Sequence, residues 1–535
     1  MNLLGTIVNG GNLVGTIITP AFMGCAKVDE VLQTMTAQGE ARFMTQNAMR
    51  RCMLKDDGTV NYYLDGHNKT GVSPTISGVS ETASDILKLK DTGAFASVVS
   101  GQYVKNITSG RYHKILNVDN ANEVSLLFDL QTTDGNWGDA DGTAAGKLVD
   151  SGADFAAAGV LPNDVAFNRT DDVFAKITAV GTTTVDLDSD IFVSGEAYSI
   201  ISDNFTAGDP YEVQTAVFED SDGQVMVEIP KFYYQYLHSG DLFTYNISPI
   251  ELTGYIVHPA FTPGGIEKDL IYVGAFENTY ESYYQGVNAF LSSEPGVIVN
   301  GSQAGLQPIT RGRRWVVRQC TVARGAGWHL MDLYTHHAIQ LLYMAEYGSF
   351  DSQTEIGQGF TDWLGDHSDA LAYNNRYGSI HTGWSLKDGN LTANRTKGAG
   401  VIGSYMSYRG IENLYGSLNC MIDGINIMPD SKVYLCNTPA SYADATITGD
   451  YSFSGLTLSI QNNEIGTYQD NAYMFALATA GSLIPDLYKH STGEEKVFIV
   501  SGTTGYNLLA GVFTFSATTA VTDRAEHNAF RVVYR

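Results

Sequence analysis

Four groups of residues have types and spacings that could do chemistry. His336 and His337 sit side by side in HLMDLYTHHAIQLLYM, a stretch with helical spacing. Neighbouring helical residues point about 100° apart, so the two imidazoles cannot share an ion. Without an H-E-x-x-H pattern they read as structural. Arg311, Arg313, Arg314 and Arg318 cluster in RGRRWVVR. They could meet an anionic glycan or a neighbouring subunit's carboxylates, but internal ion pairing is the simpler reading. DGNWGDADGTAAG (134–146) has a calcium-loop flavour but lacks the Glu at position 12 and the EF-hand spacing, so it reads as a turn-rich linker. Cys25, Cys52, Cys320, Cys420 and Cys436 are scattered, with no C-x-x-C pair. They form neither a disulfide framework nor a zinc site and read as reduced packing residues. No Ser-His-Asp order or carboxylate pair stands out from spacing. The chain is therefore read as a non-enzyme, with no catalytic residue, metal ligand or cofactor.

The element that must position these groups is a helix. Asp332 is placed to cap it, Leu333, Tyr334, Ala338, Ile339, Leu341, Leu342 and Ala345 fall at helical spacing, and Gly348 can close it. It reads as the one persuasive amphipathic helix. Before it, Trp315 to Ala323 reads as a strand ending at the Gly325 and Gly327 break. RCMLKDDGTVNYYLDG (51–66) is a hairpin turning at Asp56-Asp57-Gly58. In residues 220–240, Val225, Val227 and Ile229 alternate with Met226 and Glu228 until Pro230 ends the strand. Residues 28–50 show weak helical periodicity broken at Gly39. Residues 1–24 hold a near-repeat, LLGTIVNGG then NLVGTIITP, which reads equally as a hairpin or as a tail that orders on a partner. Residues 354–400 have little periodicity but carry Trp363, Tyr373, Tyr377 and Trp384, as a packed long loop would.

The chain has 535 residues, enough for two to four domains, and a net charge of −26, which argues against nucleic-acid binding. Charged residues are only 17%, with 56 Gly and 31 Tyr, a composition that suits loop-rich β-structure. The first twenty residues lack the basic start of a signal peptide, and no apolar run is long enough to span a membrane. Between residues 75 and 210 the texture changes. LKDTGAFAS (89–97) resembles LVDSGADFAA (148–157), and KILNVDNANEVSLLFDL (114–130) resembles KITAVGTTTVDLDSDIF (176–192). A duplicated small all-β module is expected, over about 86–133 and 146–203.

The order of IPKFYY (229–234), HPAF (258–261), IYVGAFE (271–277), GWHLM with its helix (327–345), YRGIENLYG (408–416) and FRVV (530–533) resembles bacteriophage tail-fibre and receptor-binding virion proteins with a C-type-lectin-like fold. That fold is shared with formylglycine-generating enzymes and the phage tropism determinant. The resemblance implies an α+β, mostly β chain. It would have an attachment or oligomerisation segment (1–42), first strands of the lectin-like domain (43–74), the inserted modules (75–210) and the rest of that domain (211–535). It also implies a virion fibre protein, a homotrimer, that binds a bacterial surface glycan or protein and other virion proteins. The alternative is a purely structural virion component, such as a decoration, head-fibre or adaptor protein. An oxidase of the formylglycine-generating type is a weaker reading, because Gly416–Met421 lacks the Trp and Glu of the enzyme branch and no close cysteine pair is present. Residues 503–530 lie where the variable relatives display ligand contacts. Tyr506, Asn507, Phe513, Phe515, Thr522, Asp523, Arg524, Glu526 and His527 are therefore the implied ligand-binding residues, with Phe530 and Val532 in the core.

Overall fold

The computed structural model describes the chain outside residues 1–4, 10–11, 18–23, 30–33, 39–43, 84–87, 128–136, 158–159, 169, 172, 202–204, 240–241, 281–299, 307, 311, 362–381, 396–403, 459–460, 469–475, 479–483 and 524–527. The chain is mostly β, 40% strand against 13% helix. The strand Gln224–Pro230 explains much of the architecture. Its alternating side chains are buried on both faces, as expected of a strand inside a sheet. Val225, Val227 and Ile229 enter the main core. Met226 enters a second cluster with Cys52, Leu54, Tyr272, Trp328 and Val532. Around it forms an antiparallel sheet in the order Trp328–Leu330, Val532–Tyr534, Leu270–Gly274, Gln224–Pro230, Arg50–Leu54, Val60–Asp65, Asn68–Lys69. Strands nearly 500 residues apart thus share one sheet. The expected hairpin at Asp56-Asp57-Gly58 is present, with Gly58 at φ 81°. A Cβ there would lie 2.0 Å from the Tyr534 hydroxyl, so this close approach also needs glycine.

Short helix α1 (Met44–Ala48) precedes this sheet. The rest of the 28–50 expectation fails, because Gly24–Asp29 and Thr34–Gln38 are paired strands that extend the Leu242–Ser248 sheet. Gly5–Asn9 and Asn12–Ile17 pair as a hairpin. The strand expected at Trp315–Ala323 is instead helix α2 (Arg314–Val322). A β-branched run looked like a strand, but only a helix brings Arg314 and Arg318, one turn apart, onto the same two carboxylates.

Helix α3 (Leu333–Tyr347) starts and stops where its caps predict. The Asp332 carboxylate accepts from the Tyr334 and Thr335 amides, and Gly348 takes the left-handed conformation at φ 62°, ψ 35°. It is not amphipathic in use, since every residue from Leu333 to Glu346 is buried. It packs against Leu242–Ser248, Asn419–Ile427 and the Pro259–Phe261 turn. His336 and His337 are therefore interior. His258 Nδ1 accepts from the Ala260 amide, so its proton sits on Nε2 and is donated to His337 Nδ1, 2.9 Å away. Burial depresses the pKa of His258, and holds those of His336 at about 4 and His337 at about 3.

Two further antiparallel sheets lie between residues 76 and 213. One has the order Ile76–Val79, Pro210–Val213, Tyr103–Asn106, Tyr112–Asn120, Glu123–Leu127, Lys88–Lys90. The other runs Trp137–Asp139, Ala197–Ile201, Val165–Asn168, Val173–Val180, Thr184–Leu187, Lys147–Val149, Gly142–Ala144. The stretch read as a linker (134–146) thus supplies two edge strands. Val165 and Phe167 of the second sheet join the core of the first. A third large sheet centres on Asn419–Ile427, flanked by Lys432–Leu435 and Lys496–Val500.

Buried arginines tie these parts together. Arg318 makes a bidentate pair with Asp423 (2.8 and 2.7 Å) and also reaches Asp444 (2.6 Å). Arg314 bonds Asp444 (2.8 Å) and the Ile422 and Ile425 carbonyls. Internal pairing is thus the fate of both, while Arg311 lies outside the described residues. Arg535 bonds Asp332 (2.8 Å), His329, the Ala260 carbonyl and the Tyr442 hydroxyl. Removing one partner of a buried pair leaves a stranded charge, a loss of about 3–5 kcal/mol. Arg535→Ala should lower the thermal midpoint, followed by circular dichroism, by about 5 °C or more. Substitution of the exposed Lys268 should leave it unchanged.

Candidate functional site

The loop implied by the resemblance rests on a buried carboxylate. Asp486 accepts from the Phe513 amide at 2.8 Å, and burial raises its pKa well above the usual range. A Cβ on Gly511 would sit 2.1 Å from both Asp486 oxygens, so residue 511 must be glycine. Above it, Thr504–Leu509 forms a short 3-10 turn in which Asn507 takes φ 49°, ψ −123°. The Asn507 amide donates to the Thr361 carbonyl (2.9 Å). Gln353 Nε2 donates to the carbonyls of Asn507 and Ala510, both at 2.7 Å. Asn507 and Leu508 are exposed, Leu508 by 70%. Tyr506 is half-buried, and Thr522 and Asp523 are exposed. Phe513 and Phe515 are not surface contacts but core. Phe513 packs on Tyr343 and Phe350, and Phe515 on Tyr488 and Phe498. Phe515 opens the strand Phe515–Ala517, whose residues are all buried, and Phe513 lies in the turn just before it, whose amide is tied to buried Asp486. Phe530 and Val532 are in the core as expected. Arg524, Glu526 and His527 lie outside the described residues.

Around the YRGIENLYG stretch lies a set of buried charges. Arg531 donates to the carbonyls of Gly274, Glu412 and Asn413. Glu412 accepts from the amides of Gly383 and Ser385 and from the Ser385 hydroxyl. Glu277 accepts from Ser417 at 3.3 Å, and burial pushes its pKa up to about 8. Burial raises the Cys420 thiol to about 12, so it is a packing residue and not a nucleophile. Cys52, Cys320 and Cys436 are also buried; the Cys25 side chain is outside the described set. Among the described residues, no three His, Cys, Asp or Glu side chains converge on a point fit for a metal ion.

A cavity of about 460 Å³, within the usual range for ligand sites, opens between the Tyr103–Asn106 and Tyr112–Asn120 strands and the segment that follows residue 381. One wall comes from a tight turn. The Asn106 side chain accepts from the Thr108 and Ser109 amides, Gly110 follows at φ 76°, and Arg111 is left at the rim. The Tyr112 ring stacks on His67, centroids 4.0 Å apart and 8° from parallel. Lys114 forms part of the floor. Its ammonium is held by the Phe218 (2.9 Å) and Ala304 (3.2 Å) carbonyls, and burial lowers its pKa to about 8. Trp384, Lys387 and Arg395 complete the opposite wall. Gly383, at φ 96°, allows this wall to approach, since a Cβ there would lie 2.8 Å from Ala304 Cβ. Sequence reasoning missed this site because its residues are spread from His67 to Arg395. The one local signal was KNITSGRYHK (105–114), a basic run without an acid in an acidic chain. Trp384, expected as a packed aromatic, is half-buried; Trp363, Tyr373 and Tyr377 lie outside the described residues.

With this geometry described, comparison with known proteins adds no family: no family model matches the chain, and no curated protein matches it. The buried Glu277 provides a direct check on the interior charge set. Its folded pKa lies above the unfolded value near 4.5, so the stability it contributes is complete below about pH 4.5 and is lost as pH rises toward 8. Glu277→Gln should therefore match the parent's thermal midpoint near pH 5 and exceed it progressively up to pH 8. Parallel midpoint curves would show that the carboxyl ionises normally.

Proposed function

We propose that this chain is a bacteriophage virion fibre protein that binds a bacterial surface receptor through a C-type-lectin-like body. The body would comprise residues 43–74 and 211–535, with 1–42 serving attachment or oligomerisation and 75–210 forming two repeated modules. The observation that carries the receptor-binding reading is the 504–509 turn. Asn507 is held in a sparsely populated conformation by hydrogen bonds to its backbone, beside the exposed Leu508. Strain in a pinned, solvent-facing loop on a rigid body is a mark of a contact surface.

The module reading is supported by matching parts. The first six strands of the two inserted sheets stand in the same relative order. Tyr211 donates to Asp91 at 2.8 Å in one, and Tyr198 to Asp150 at 2.7 Å in the other. Phe95 and Phe155 lie 5.7 Å from those tyrosine rings. Both aspartates belong to the repeated Asp-[Thr/Ser]-Gly-Ala motif. The second module is nested within the first, between Leu127 and Pro210. Such modules serve as spacers, and three copies of a weak site on a homotrimer raise avidity by about 10²–10⁴ where geometry permits.

Purified protein should coat host cells and block phage adsorption. Leu508→Asp should weaken that block about tenfold with no change in thermal midpoint. Folded oligomer that neither binds cells nor blocks adsorption would favour a purely structural virion role.

A further inference from the structure

We propose that the cavity between the Tyr112–Asn120 strand and the 382–395 segment is a binding site for an anionic saccharide. The inference rests on the fibre reading only in taking a bacterial surface polymer as the source of that saccharide. Charge is the first argument. The chain carries a net −26, yet no Asp or Glu lines the cavity among the described residues, whereas Arg111, Lys387 and Arg395 do. Among those residues, neither Lys387 nor Arg395 has a carboxylate within ion-pair distance. Lys387 and Arg395, two such cations at one cavity, repel each other, and a bound anion relieves that repulsion.

The second argument is shape and surface. Trp384 lines this space and is only partly buried, and an indole suits the apolar face of a pyranose, while the Tyr112 ring beside it is already stacked on His67. His67 is 5% exposed and lines the cavity, and its Nδ1 has no hydrogen-bond partner among the described residues. A buried polar atom without a partner is costly, and a sugar hydroxyl can satisfy it. Burial holds the His67 pKa at about 3, so the ring is neutral and can exchange a hydrogen bond with a hydroxyl. A planar guanidinium such as Arg395 suits a carboxylate or phosphate, and the ammonium of Lys387 adds a point charge. Extended polyanions such as duplex nucleic acid are a poor match, because the chain as a whole carries a net −26 and the site is a concave pocket.

The test uses the full-length protein and calorimetric titration. The probes are a galacturonate oligomer, a phosphorylated hexose and the neutral galactose oligomer. An anionic probe should bind, more weakly as salt increases, and the neutral oligomer should bind at least about tenfold more weakly. The double variant Lys387→Glu/Arg395→Glu, at two solvent-accessible positions, should keep its thermal midpoint and lose about tenfold or more in affinity. Trp384→Ala should also weaken binding. Preference for galacturonate or for the phosphorylated hexose assigns the natural ligand to a carboxylated or a phosphorylated polymer. Failure of every anionic probe to bind, equal binding of the neutral oligomer, or unchanged affinity in the folded double variant would overturn the site. Adsorption blocking that survives while anionic binding is absent would overturn the cavity alone and leave the fibre reading standing.

Discussion

The buried carboxylate of Asp332 is the point on which the body of this protein depends. It caps the enclosed helix α3 through two amides and receives the Arg535 guanidinium, which also reaches His329, Tyr442 and the Ala260 carbonyl. Asp332 also forms a parallel bridge with Asp423, the residue that Arg318 clamps. Two buried ion-pair groups, linked through that backbone bridge, therefore join α2, α3, the Val532–Tyr534 strand and the large sheet around Asn419–Ile427. Taking such charges out of water is expensive, and the gain comes back only when every oxygen and nitrogen finds its partner. That requirement favours one arrangement of elements over the looser packings that apolar contacts alone would tolerate.

This rigid centre explains how long irregular segments can hold defined shapes at the surface. The 504–509 turn is strained at Asn507, yet Asp486, Gln353 and Thr361 hold its flanks. The cavity is built differently. Its walls come from the sheet that holds Tyr103–Asn106 and Tyr112–Asn120 and from the segment after residue 381, and its floor includes a lysine whose ammonium is held by two carbonyls. A loop surface and a walled pocket suit different ligand chemistries, the first broad and adaptable, the second small and charged. Both fit the receptor-binding role proposed above.

What was legible in the amino-acid sequence was local. Asp332 and Gly348 bracket α3 because capping is decided within one turn of chain. The Asp56-Asp57-Gly58 hairpin follows from a glycine that can take positive φ, and the alternation at Val225, Val227 and Ile229 follows from the two-residue period of a strand. The repeated Asp-[Thr/Ser]-Gly-Ala motif located two stretches that the fold places in sheets of matching order. The paired fate of Arg314 and Arg318 was also readable, since an acidic chain holds many carboxylates for few cations.

Tertiary structure decided the rest. Trp315–Ala323 has the β-branched composition of a strand, yet it is a helix because Asp423 and Asp444, over a hundred residues away, reward two arginines one turn apart. Phe513 and Phe515 were taken for surface contacts because sequence shows a loop's neighbourhood but not which side of it is covered. The cavity could not be read at all: His67, Arg111 and Lys387 meet only when the Tyr103–Asn120 strands pack against the segment after residue 381. Sequence by itself determined caps, turns, periods and net charge, which depend on residues a few positions apart. Which faces are buried, which charges meet and where a pocket opens were settled by contacts between distant segments, whose energies no local window contains.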